Sequence, residues 1–135
     1  MNARDFSIVE LRPQILSAKI FPNMSTEEYF QNKVLRPVIK LQNDLILEVF
    51  KNYIRKNKTL FYEMAVEKRL HFIENAVQKD IKFRNSLKGM ILGQFTVEEY
   101  KTYTNNSSAL NKRMMKLVIQ RIQDQAQLLE LDLSA

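Results

Sequence analysis

From Phe30 to Tyr53 an apolar side chain recurs every three or four residues, at Phe30, Val34, Val38, Leu41, Leu45, Val49 and Tyr53. That spacing is the period of an α-helix, and it fits no strand. Leu35, Ile39, Ile46, Phe50 and Ile54 widen the stripe. A helix from about Thr26 to Lys56 with so broad an apolar face is expected to run through the centre of a bundle. Pro37 lies inside it. Either the helix bends there, or one helix ends near Arg36 and another starts with Pro37 in its first position. Turn-forming residues are scarce: two glycines and three prolines stand among 135 residues. Sandwiches and barrels need more of them. The expectation is one all-α domain spanning the chain, a compact bundle of five or six helices around one long central helix, with a frayed tail from about residue 130 to 135.

Helix starts are marked by short polar signals. Ser7-x-x-Glu10, Ser25-x-x-Glu28 and Thr96-x-x-Glu99 have the form of capping boxes, in which each side chain satisfies a backbone N–H of the first turn. The first helix is expected to run to about Leu16, bent by Pro13, which restricts Arg12. Further helices are expected at Phe61–Gln78, Ile81–Leu92 with Asp80 as cap, Val97–Thr104, and Ser108–Leu129. The segment 56–59, KNKT, reads as a polar break. Leu11-Arg12-Pro13-Gln14-Ile15 is echoed by Leu35-Arg36-Pro37-Val38-Ile39, which reads as reused helix-start chemistry rather than a repeat unit. Both glycines fall in LKGMILGQFT. Gly89 is expected to allow close helix approach, and Gly93 to act as a left-handed helix stop.

Several function classes lack material. Without cysteine there is no disulfide, no thiolate metal site and no thiol nucleophile, which suits a cytoplasmic protein. The N-terminal residues carry Asp5 and Glu10 and no long apolar run, so no secretory signal is expected. No stretch approaches the length of a membrane span. A net charge of +6 permits contact with nucleic acid or an anionic surface.

Glu67, His71 and Glu74 lie at i, i+4 and i+7 and form a weak metal candidate. A carboxylate-bridged di-iron bundle would need a second Glu-x-x-His motif, so no metal or cofactor is expected. No serine hydrolase motif is present, and catalytic residues are not expected. Asp44 sits in the polar triplet Gln42-Asn43-Asp44 within the most apolar helix. It is either buried against a cation such as Arg84 or Arg113, or part of an exposed face. Arg84 and Lys88 pair at i, i+4, and Lys112, Arg113 and Lys116 crowd one side of the last helix, a nucleic-acid candidate that lacks a recognisable binding motif. Six methionines, eight phenylalanines and five tyrosines offer contact material for a protein partner or a second copy. Phe61, Tyr62, Tyr100 and Tyr103 are candidates, with core packing as the alternative. Non-enzymatic association with protein is the leading expectation, and weak nucleic-acid binding the second.

The blocks FQNKVLRPVIKLQND, FIENAVQKDIKFRNSLKGMILGQFTVEEY and NSSALNKRMMKLV together resemble a family of short all-helical proteins of Bacteroidetes genomes, often labelled "glyoxalase". The resemblance runs from Arg4 to Gln123 and implies no active-site residues. The label is open to a chemical test. Glyoxalase I is similar to the vicinal-oxygen-chelate enzymes, with βαβββ modules and His and Glu ligands. Glyoxalase II resembles the metallo-β-lactamases and needs an HxHxD motif. One histidine and no strand periodicity supply neither.

Overall fold

The chain is described by a computed structural model covering residues 1–16, 18–57 and 60–126. Lys58 and Thr59 of the polar break, the last turn expected to Leu129, and the tail lie outside the described residues. Those described form eight α-helical segments and no strand, so the all-α expectation holds with a higher segment count.

Helix α1 (Ala3–Leu11) begins earlier than expected. Asn2 caps it, accepting from the Asp5 N–H at 2.7 Å, so Ser7 lies inside the helix and starts nothing. It ends at Leu11, not Leu16. Arg12 precedes Pro13 and takes φ −68°, ψ 131°, the extended backbone that a proline favours in the residue before it.

The long central helix is broken. Ser25 caps α2 (Thr26–Phe30), accepting from Glu28 N–H at 3.1 Å. The helix then widens into a π segment, Gln31–Leu35, and continues as α3 (Arg36–Leu41). Pro37 has no N–H to donate and its ring crowds the carbonyl one turn back. The wider register lies directly before it, with Arg36 N–H bonding to Gln31 O. Gln42, at φ −87°, ψ 3°, separates α3 from α4 (Asn43–Lys56). A π turn carries an extra residue, which rotates the downstream helix by about 100° relative to a plain α-helix. Through α4 the buried line is therefore Ile46, Phe50 and Ile54, while Leu45 is 51% exposed. Gln42 falls on that buried line and donates to Met90 O at 2.9 Å.

Phe61–Glu63 forms a 3₁₀ turn, and α5 (Val66–Lys79) begins only after it. The reason is Arg69, which is 9% exposed. Its guanidinium donates back to Met64 O (2.9 Å) and Tyr62 O (2.6 Å) and lies over the Phe61 ring. α6 (Ile81–Leu92), capped by Asp80, and α7 (Val97–Thr104), with a complete Thr96–Glu99 capping box, match expectation. α8 (Ser107–Asp124) closes the fold.

One apolar core joins α2 to α8. Its aromatic end gathers around fully buried Phe50, whose ring meets Phe61, Phe72 and Phe83 at 5.7–6.3 Å, within the range of favourable ring pairs. Tyr53 stacks on Phe83 at 4.1 Å and donates to Asp80 at 2.9 Å. Burial, then that hydrogen bond and the Asp80 charge, push its phenol up to about 12. The position expected of the Thr26–Lys56 helix is taken by α8, which packs against α3, α4, α5, α6 and α7.

Candidate functional site

Two surfaces stand out, built on opposite principles. The first is the N-terminal segment. Three of its charged groups, Arg4, Asp5 and Arg12, reach the α6–α7 corner, while Glu10 is exposed. Arg12, whose side chain is 8% exposed, grips Glu99 with two nitrogens at 2.6 and 2.7 Å and donates to Gln94 O at 2.8 Å. Its Nε is buried and finds no hydrogen-bond partner among the described residues. Arg4 donates to Gly93 O (2.7 Å), Phe95 O (3.0 Å) and Asp5 (2.7 Å). Buried Asp5 accepts from Val97 N–H at 3.0 Å, placing a carboxylate on the positive end of α7. Burial pushes the Glu99 carboxyl up. The Arg12 hydrogen bonds, the Thr96 N–H and the Arg12 charge outweigh it and hold Glu99 below the usual carboxylate range.

With Asp5 and Arg12 turned inward, this segment leaves apolar groups in water. Among the described residues, seven of the fourteen exposed large hydrophobic side chains fall within the first 21 positions: Met1, Phe6, Val9, Leu11, Leu16, Ile20 and Phe21. Ile20 and Phe21 continue into an open apolar groove shared with Met24, Tyr29, Phe30 and Val34, with Lys33 and Glu99 at its polar positions. Glu99 thus belongs to both the ionic grip and the groove. Of the aromatic candidates for contact, Phe61 and Tyr103 are buried in the core, Tyr62 is packed against it, and Tyr100 is 50% exposed.

The second surface is the outer side of α8. Lys112 and Lys116 line a groove with Arg84 of α6 on one side, and on the other a groove with Arg113, Gln31 and Arg36. Four of the five cations read from the sequence therefore converge on one helix. Lys88 lines neither groove. Arg36, a member of the second groove, and Arg121, which lines an adjoining cleft with it, are cations that the sequence reading missed. Arg36 is hidden in a helix-boundary tripeptide, and only the fold brings α3 beside α8.

The remaining candidates separate. Glu67, His71 and Glu74 are exposed on α5, and among the described residues no group of three His, Asp or Glu side chains is placed to hold a metal ion. Asp44 is exposed and accepts only from its neighbour Asn43 at 3.1 Å among the described residues, which corrects the buried-network alternative with Arg84 or Arg113. Its neighbours carry the network instead. Asn43 and Gln125 exchange amide hydrogen bonds at 2.6 and 3.1 Å, and Arg121 donates to Asn43 at 3.3 Å. Both glycine expectations also change. Gly93 is right-handed, at φ −62°, ψ −16°, so it is no left-handed stop. Gly89 is exposed, and a Cβ there would meet nothing within 4 Å; it provides no close helix approach. Ser25 and Thr96 cap their helices as expected, and Pro37 is the second residue of α3, directly behind the π segment. No helix of the described residues is long and apolar enough to cross a membrane. No protein-family model matches the chain, and neither a curated protein nor a solved structure is found similar to it.

Proposed function

We propose that this protein works by non-enzymatic association in the cytoplasm, using the apolar face of its N-terminal segment. The observation behind this reading is the concentration of exposed Phe6, Val9, Leu11, Leu16, Ile20 and Phe21 on a segment anchored chiefly by polar contacts at its inner side. Large contiguous apolar surface in water marks an interaction site more often than a free face. Burying one such side chain contributes about 1.5–3 kcal/mol. A second copy of the chain is the partner to test first, because a two-fold contact lets one patch cover itself.

Light scattering on purified protein measures this. The wild type should be dimeric, and the double substitution Phe6→Ser with Phe21→Ser should give monomers with an unchanged Tm. A wild type that stays monomeric at the highest attainable concentration would sink the self-association reading.

A second reading, weak and salt-sensitive nucleic-acid binding, is supported by the gathering of Arg84, Lys112, Arg113 and Lys116 along α8. Such contacts address phosphates rather than bases. The "glyoxalase" label draws no support from exposed His71 and the scattered carboxylates around it.

A further inference from the structure

We infer that the cleft between α3 and α8 binds a phosphate group, held between the guanidinium groups of Arg36 and Arg121. This deepens the nucleic-acid reading without depending on it, since a small phosphorylated molecule satisfies the same site.

The two arginines enter from different helices and line one cleft of about 280 Å³ with Gln120 and Gln125. Each is steadied by a neutral amide: Arg36 Nε donates to Asn32 at 3.0 Å, and Arg121 Nη1 donates to Asn43 at 3.3 Å. Among the described residues neither arginine forms a salt bridge. Nor do both Nη groups of Arg36, or Nε and Nη2 of Arg121, find an acceptor among those residues. A planar fork of open donors matches the oxygens of a phosphate. The cleft also holds Asp124, whose carboxylate opposes an anion, but one carboxylate faces two guanidiniums. Burial makes the Arg121 charge costly, Asp124 relieves it, and Arg36 adds to it. An anion between the arginines acts in the opposite sense to both costs.

The backbone supplies a second reason. Gln31 and Arg36 are five residues apart, which on an α-helix is about 140° around the axis. The π register brings such a pair closer to one line, and both line the groove against α8. That groove shares Arg36, Leu117 and Gln120 with the cleft, so the cationic path continues to Lys112, Arg113 and Lys116.

The test follows the arginine side-chain Nε–H resonances by NMR while the protein is titrated with pyrophosphate and, separately, with a single-stranded RNA oligonucleotide. Arg36 and Arg121 should shift with at least one probe. Arg36→Gln and Arg121→Gln should each weaken that binding about tenfold, as expected for a lost charge-assisted bond, while Lys88→Gln should not change it. Thermal melts verify that the variants are folded; should Arg121→Gln not fold, the Arg36→Gln variant decides. Pyrophosphate binding without RNA binding upholds the site and removes the nucleic-acid reading. RNA binding that is also weakened by Lys112→Gln and Lys116→Gln identifies the phosphates of a strand. The site is overturned if neither probe shifts either arginine, if sodium chloride at equal ionic strength gives the same shifts, or if Arg36→Gln binds like wild type.

Discussion

Helices α1 and α8 divide their side chains in opposite ways. α8 turns Leu110, Met114, Met115, Val118, Ile119 and Ile122 into the core and shows its lysines to water, the ordinary division for an amphipathic helix. α1 buries Asp5 with Ile8, is followed by buried Arg12, and leaves Phe6, Val9 and Leu11 outside. The difference lies in what holds each helix. Apolar burial holds α8, largely indifferent to pH and salt. Ion pairs and hydrogen bonds to carbonyls do most of the holding for α1, and these weaken when a proton or a counterion intervenes. It also explains why the unspent apolar surface lies on α1: beyond Ile8, its anchoring needs none of it.

The comparison can be broken in three places. The largest effect is expected from Ile122→Ala, which empties a fully buried position of α8. It should cost about 3–4 kcal/mol and lower the unfolding midpoint of the whole chain in denaturant. If that loss stayed local, α8 would not be the common support. Glu99→Gln comes next. It removes the counter-charge of nearly buried Arg12 and should cost about 3 kcal/mol, with hydrogen exchange showing α1 losing protection before α8. Glu99 has a depressed pKa in the folded state, so its contribution is complete above the ordinary carboxyl value of 4.5 and is lost as pH falls through the depressed value. The gap in stability between wild type and Glu99→Gln should therefore close in acid. A gap independent of pH would show that the Arg12–Glu99 charge does not hold α1. The smallest effect is a gain: Gly89→Ala should stabilise by up to about 1 kcal/mol, because an exposed helical glycine is exchanged for the best helix former with open space for its Cβ. A loss on melting would mean that the exposed face of α6 has a packing duty after all.

Much of the fold was legible in the residues. α6 and α7 begin and end where Asp80, Thr96 and the helical period place them. The stripe from Phe30 to Tyr53 was legible as a helix but not in its phase, because nothing local announces a π segment or the turn at Gln42. α5 was read as starting too early, since the return of Arg69 onto the carbonyls of the preceding turn is a tertiary choice. Of the basic surface, Arg84, Lys112, Arg113 and Lys116 were found by charge spacing. Arg36 and Arg121 needed the crossing of α3 with α8.

The repeated tripeptide Leu-Arg-Pro separates what the chain alone decides from what it does not. At Leu11-Arg12-Pro13 the arginine is extended and ends its helix; at Leu35-Arg36-Pro37 it is helical, at φ −62°, ψ −48°, behind a π segment. Identical local chemistry gives two backbones, because one copy leaves the bundle to reach Glu99, 87 residues away, and the other is held inside it. Caps and helical period act within a turn or two, so the sequence by itself determined that this chain is helical and where most helices start. The facing of each helix, the partner of each arginine and the surface left to water depend on groups tens of residues apart, and only the packed structure decides those.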